Sequence, residues 1–338
     1  MGFWILTEHR AADELRIVAI GGGTGLSNLL RVLKGLGCAP TAVVAMTDNG
    51  GSSGKLRADF GMLPPGDVRS CLVALSCSEP DMERLLCYRF PDDSTLSGHN
   101  VGNILLAAIM QAEELDFAAA TERLSALLAI RGRVLPSTTA DVALGALLED
   151  GTCLQGESQI AADERQIKEV FLLPRDGREK PQACPDVLQA IAEAEYIFIG
   201  PGSMYSSLVA NLLVPGVAAA IKQSPAKVYY IANMATEPGE MPAVDFSCSV
   251  GVLEHYYQRA AQNSCGHLLD KVIANVGEYG APLLAELAKG GSAPLQCDQA
   301  KLAAFGVALL EGDFVDSQNV WQHNQAKLAA MLKAELQL

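Results

Sequence analysis

RIVAIGGGTGLSNLLRVLKG, Arg16 to Gly35, sets the architecture of this chain. RIVAI, Arg16 to Ile20, is a short β-branched run that ends on glycines, and it predicts a buried strand. Leu26, Leu29, Leu30, Leu33 and Leu36 then recur at helical spacing, and Gly37 is placed to stop the helix. TAVVAM, Thr41 to Met46, predicts the next strand. Strand, helix, strand is one βαβ unit, which implies a parallel sheet with a right-handed crossover.

Working outward, Pro64, Pro65 and Gly66 break the chain, and Asp67 is placed to cap a helix through Leu75. SEPDMERLLCYRF, with Pro80 in its first turn, HNVGNILLAAIMQAEEL and DFAAATERLSALLAI predict three more helices. Val134 to Pro174 reads as short strands, a β-rich insertion. PDVLQAIAEA (helix), YIFIG (strand), GPGSMYSSLVANLL (loop and helix) and KVYYIAN (strand) follow. FSCSVGVLEHYYQR (helix), KVIANV (strand) and an amphipathic helix from Gln322 complete the chain. The expectation is one α/β domain over 1–338. Its first βαβ unit is 15–60, a helical and mixed insertion is 61–180, and the rest of the sheet with a C-terminal helix is 181–338.

Composition narrows the function classes. Hydrophobic residues make up 49% of the 338 positions and charged residues 19%, so a sizeable core is expected. A net charge of -14 argues against a nucleic-acid or anionic-membrane binder. The nine cysteines include no C-x-x-C pair, which suits reduced, buried thiols. The N-terminus is a poor signal peptide, Leu6 breaks the myristoylation pattern, and LVANLLVPGVAAAI is too short and interrupted to span a membrane. A cytoplasmic protein is expected.

Several polar stretches stand at strand ends or helix starts. GGGTGLS, Gly21 to Ser27, offers free N–H groups and a helix N-terminus to an anion. It fails the dinucleotide fingerprint, because Leu26 or Asn28 stands where the third glycine belongs. Asp48 nevertheless stands where a ribose-binding acid would. TDNGGSSGKLR, Thr47 to Arg57, reads as a ligand-facing loop, but Leu56 rules out a P-loop. PPGDVR contributes Asp67 and Arg69, and GPGS, Gly200 to Ser203, is a second strand-to-helix turn. His99, in SGHNVGN, is the one histidine in a polar, glycine-flanked loop. His9, His255, His267 and His323 lie in surface-like or helical contexts, without H-x-x-x-H spacing, so no zinc site is expected.

Taken in order, GGGTGLS, TDNGGSSGKLR, PPGDVR, SGHNVGN, PST (Pro136 to Thr138), GPGSMYSS and the strand end at Asn233 resemble the YvcK/CofD-like family. These are the gluconeogenesis factors, related to 2-phospho-L-lactate transferase. The resemblance spans roughly Val18 to Asn233, with a looser match through KVIANV. It implies a Rossmann-like α/β fold, mostly parallel with helices on both faces, and a nucleoside-diphosphate site across the strand ends. The transferase branch moves a phospholactyl group from a guanosine-diphosphate donor to a deazaflavin, using Mg²⁺. The YvcK branch binds UDP-sugars such as UDP-N-acetylglucosamine and is linked to carbon metabolism and cell shape. Asn49 follows Asp48 where many members carry a second acid, and this favours the sugar-binding branch.

The implied site places Gly22, Gly23, Thr24, Gly25, Leu26 and Ser27 on one side of a diphosphate. Gly200, Pro201, Gly202 and Ser203 lie on the other. Asp48 and Asn49 would read ribose, sugar or an ordered water, and Asp48 is the candidate catalytic residue if a group is transferred. Gly51, Ser52, Ser53 and Arg57 would hold phosphate oxygens. Gly66 leads into a supporting pair, Asp67 and Arg69, with His99 and Asn103 beside them. Asn233 would close the site. No metal or cofactor is required, save Mg²⁺ for a transferase. The expected partner is a UDP-sugar or another nucleoside diphosphate, with no nucleic acid and no membrane insertion. A homodimer is the commonest assembly for such chains.

Overall fold

A computed structural model describes residues 11–78, 81–175, 177, 180–261 and 266–338. Pro80, His9 and Cys265, and the N-terminal stretch read above, lie outside the described residues. The first half runs β1 (Ile17–Gly21), α1 (Gly23–Gly35), β2 (Thr41–Val44), α2 (Gly51–Phe60), α3 (Gly66–Leu75), α4 (Asp81–Leu86), α5 (Val101–Ala112), α6 (Phe117–Leu127) and β3 (Arg133–Pro136). An insertion follows: β4 (Val142–Leu148), β5 (Cys153–Gln155), α7 (Glu157–Ala161) and β6 (Ile167–Pro174). Then come α8 (Pro185–Glu193), β7 (Tyr196–Ile199), a π-helical turn (Met204–Val209) running into α9 (Ala210–Leu212), α10 (Val217–Gln223), β8 (Lys227–Ile231) and α11 (Ser247–Ala260). The last elements are β9 (Lys271–Asn275), α12 (Ala281–Lys289), α13 (Gln299–Ala304), β10 (Ala308–Gly312) and α14 (Gln325–Glu335).

Seven strands form one sheet in the order β10-β9-β8-β7-β1-β2-β3, and every neighbouring pair is parallel. This is the doubly wound, Rossmann-like α/β fold that the βαβ unit implies. The chain winds outward from β1 to β3, then returns to β7 on the other side of β1. That reversal opens a crevice at the carboxyl ends of β1 and β7, where such sheets bind ligands.

Side chains alternate across the sheet and build two apolar layers. Ile17 and Ala19 of β1 pack with Leu29 and Leu33 of α1, Leu72 of α3 and Leu332 of α14. Val18 and Ile20 face the other way, onto Leu208, Val250 of α11 and Val187 of α8. Leu144 and Val170 of the insertion join this second layer.

Three differences from the sequence reading matter for the site. The stretch from Gly51 is a helix and not a loop, closed by Gly61 in the left-handed conformation (φ 63°). β3, expected in the insertion, pairs with β2 in the large sheet, and only β4, β5 and β6 form the small antiparallel one. β10 was not foreseen; it is a half-exposed edge strand without a continuous apolar run.

Candidate functional site at the β1/β7 switch point

β1 delivers the chain to Gly22, whose extended backbone precedes α1 with no side-chain cap. The first N–H groups of a helix have no partner within it, and the helix dipole makes that end positive. A side chain at Gly22 would meet the Asp67 carboxylate at 2.5 Å, and one at Gly25 would run into the Pro201 carbonyl. Glycine is needed because three chain segments converge here.

Two cavities flank this turn. The larger, about 430 Å³, lies between Gly22–Gly25, Pro201–Ser203, Asn233 and a C-terminal segment carrying Trp321 and His323. The smaller, about 300 Å³, is lined by the starts of α2 (Gly51, Ser52, Ser53), α3 (Gly66, Asp67) and α5 (Asn103 with its cap Asn100). Arg69 and Arg89 also face it. Gly23, Thr24 and Asp67 line both cavities. The start of α1 therefore stands between them, and four helix N-termini border the smaller one.

The second turn differs. Ser203 Oγ donates to Glu237 Oε1 at 3.1 Å, and the Met204 N–H to Glu237 Oε2 at 3.2 Å. The Tyr205 and Ser206 N–H groups donate to Glu240 Oε2 at 2.8 and 3.1 Å, and Ser206 Oγ to Oε1 at 2.7 Å. The chain's own acids already occupy this helix start, so it is not open to a second anion in this conformation. Asn233 lines the larger cavity and holds Gly202 through both its backbone groups.

Comparison with known proteins places this geometry. The family model described as 2-phospho-L-lactate transferase CofD matches residues 17–315. The chain belongs to the CofD family. Within it, the chain is 41% identical over 315 residues to a gluconeogenesis factor of Halalkalibacterium halodurans, covering 93% of this chain and 94% of that one. It is 38% identical over 318 residues to the gluconeogenesis factor of Bacillus subtilis, with 94% and 96% covered. A crystal structure of a UPF0052-family protein from Bacillus halodurans superposes with a TM-score of 0.85 at 39% identity, over 94% of this chain and 97% of that one.

In this CofD-family chain the expected site residues separate into two groups. Gly22 to Gly25, Pro201 to Ser203 and Asn233 line the larger cavity, and Asp48, Gly51, Ser52, Ser53, Gly66, Arg69 and Asn103 the smaller. Others do not reach either. Leu26 is in the core, and Ser27 is buried with its Oγ donating to the Gly23 carbonyl at 2.6 Å. Gly200 stands one residue behind the cavity wall. Asn49 accepts from Ser158 N–H at 3.1 Å and Oγ at 2.9 Å, turned toward the insertion. His99 Nδ1 lies 3.0 Å from Ser52 Oγ, behind that side chain.

Arg57 is also corrected. It is buried, its guanidinium paired with Asp141 and donating to the Asp48 carbonyl at 3.1 Å and the Val142 carbonyl at 2.5 Å. It fastens α2 to the insertion. Asp67 does not cap α3 with its side chain; its carboxylate accepts from the Gly23 backbone instead. Nor does it form a salt bridge with Arg69, which donates to Ser70 Oγ at 3.0 Å and keeps a buried, unpartnered Nε. Asn103 Oδ1 is likewise buried without a partner, while its Nδ2 donates to Ser52 Oγ at 3.1 Å.

Acids dominate the electrostatics. Burial, with the Asp48 charge next, pushes the Asp67 carboxyl up to about 7. Burial and the charges of Asp48, Asp67 and Glu240 push Glu157 up to about 8. Burial and Glu240 push Glu237 up to about 7. Glu157 comes from the insertion, and neither it nor Glu237 was read from sequence. Asn49 gives its oxygen to Ser158, and among the described residues no group of three or more His, Cys, Asp or Glu is arranged to hold a metal. Among those residues no single helix is long and apolar enough to cross a membrane.

Proposed function

We propose that this protein is a nucleotide-sugar-binding regulator, taking a UDP-sugar such as UDP-N-acetylglucosamine across the two cavities. The observation that carries the reading is the start of α1, bordered by both cavities, where Asp67 takes only the Gly23 N–H, while the neighbouring helix start is closed by Glu237 and Glu240. An anion gains from unpaired N–H groups and the helix dipole at Thr24 and Gly25. The diphosphate bridges there, the nucleoside fills the larger cavity, and the sugar enters the smaller. Arg69 Nε and Asn103 Oδ1, both unpartnered, supply a donor and an acceptor at the sugar end.

The link to central carbon metabolism rests on similarity to the gluconeogenesis factors, and the extension to cell-wall and cell-shape control rests on the resemblance to the YvcK branch alone. A transferase reading rests on the description of the family model. There Asp48 would assist transfer from a nucleoside-diphosphate donor with Mg²⁺, but the missing second acid and the engaged Asn49 weigh against it. Calorimetric titration with UDP-N-acetylglucosamine, with and without Mg²⁺, separates the two. The regulator reading expects binding without metal and complete recovery of ligand. Magnesium-dependent cleavage would replace it with the transferase.

A further inference from the structure

Trp321 and His323 share the wall of the larger cavity farthest in sequence from the glycine turn. Trp321 is a large aromatic left 48% exposed, standing against Gly290. His323 is only 2% exposed, yet its Nε2 is buried with no hydrogen-bond partner. An unpaired polar atom at such a site is costly unless something else satisfies it.

The imidazole is held in place. Asn28 of α1 donates through Nδ2 to the His323 carbonyl at 2.9 Å, and Gln325 Nε2 donates to Asn28 Oδ1 at 2.8 Å. The Phe314 ring lies 5.8 Å from the imidazole, centroid to centroid. Burial pushes the imidazole pKa down to about 4, with the Ala232 backbone opposing the shift. The ring is therefore neutral near pH 7, and with its proton on Nδ1 it presents Nε2 as an acceptor. The buried Met234 and Ala235 give the same cavity an apolar wall.

An exposed indole beside a fixed, buried acceptor is the chemistry that recognises a planar heterocycle carrying an N–H. On the nucleotide reading above, we propose that Trp321 and His323 recognise the base: it lies on the indole and donates a ring N–H to His323 Nε2. Uracil and guanine offer such an N–H on their pairing edge. Adenine presents a ring acceptor there, which would face Nε2 lone pair to lone pair. The base end of the ligand is thus assigned to the C-terminal wall, and its sugar end to the smaller cavity.

The chain contains only Trp4 and Trp321, so the part of a fluorescence change that Trp321→Ala abolishes reports on this wall. The test is titration with UDP-N-acetylglucosamine, UDP, GDP and ADP-glucose, by fluorescence and calorimetry. The proteins are wild type, Trp321→Ala, His323→Leu and His323→Gln, each checked by thermal melting. Wild type is expected to bind the uridine ligand with quenching and to prefer it to the adenosine one. Trp321→Ala and His323→Leu should each lose about tenfold or more in affinity, and His323→Gln, which keeps an acceptor, should recover part of it. Trp321 is half-exposed, so its variant tests the proposal even if His323→Leu fails to fold. Wild-type binding that Trp321→Ala leaves unchanged would overturn this assignment and leave the nucleotide reading standing. A wild type that binds no UDP-sugar, UDP or GDP would overturn both.

Discussion

Asn233 holds Gly202 from both sides: the Gly202 N–H donates to Asn233 Oδ1 at 3.0 Å, and Asn233 Nδ2 donates to the Gly202 carbonyl at 2.9 Å. The end of β8 thereby fixes the turn that follows β7, and with it one wall of the cleft. Asn233 shapes the site by setting backbone. Asn233→Ala breaks both bonds at once. It should lower stability by about 1–3 kcal/mol and weaken nucleotide-sugar binding. Urea unfolding checks the first part, and an unchanged midpoint would remove Asn233 from this role.

Asp67 makes stability depend on pH with a defined sign. Its carboxyl is raised from 3.8 to about 7, so between those values the native state holds a proton that the unfolded chain has lost. Stability then falls as pH rises through that window. Asp67→Asn removes this contribution, so the variant should lose less melting temperature than wild type between about pH 5 and about pH 8. Parallel slopes would show that Asp67 titrates as an ordinary exposed acid.

The same acids couple binding to protons. A diphosphate at the start of α1 adds negative charge beside Asp67 and near Glu157, which favours their protonated forms. Binding should take up protons and strengthen as pH falls from about 8 to about 6. Calorimetry in buffers of different ionisation heat measures the uptake directly. Proton release on binding would mean that the phosphates sit elsewhere.

Arg57 and Arg69 should behave oppositely. Arg57→Met cuts the tie between α2 and the insertion, where Asp141 is 40% exposed and tempers the loss. It should cost about 1–3 kcal/mol of stability with little change in affinity for the folded protein. Arg69→Ala removes a charge that faces the smaller cavity and should weaken binding while melting stays close to wild type. Equal effects of both on affinity would undo the separation of the two arginines.

The parts of the fold that were legible are those whose burial is written in periodicity. β1 is buried at every position and so appears as an unbroken apolar run, and the leucines of α1 recur at the pitch of the face they bury. α2 was illegible because Gly51, Ser52 and Gly54 are poor helix formers; contacts from elsewhere outweigh their propensity. Ser53 Oγ accepts from the Gly66 N–H at 3.2 Å, and Ser52 Oγ meets both His99 and Asn103.

The cleft was half legible for a similar reason. Its glycine turns announce themselves locally, whereas its closing groups arrive from distant turns. Glu237 and Glu240 sit in a polar segment that reads as solvated, and only the fold brings them to the helix start after β7. His323 reads only as one of four histidines in surface-like or helical contexts, because nothing near it in sequence reveals that Asn28, 295 positions earlier, holds its backbone inside.

The central claim is that the start of α1 binds the diphosphate. A crystal structure of the protein with UDP-N-acetylglucosamine tests it most directly. The account predicts phosphate oxygens within hydrogen-bonding distance of the Thr24 and Gly25 N–H groups, with Glu240 still on Tyr205 and Ser206. Phosphates seated on the Met204 to Ser206 N–H groups, with Glu237 and Glu240 displaced, would contradict it.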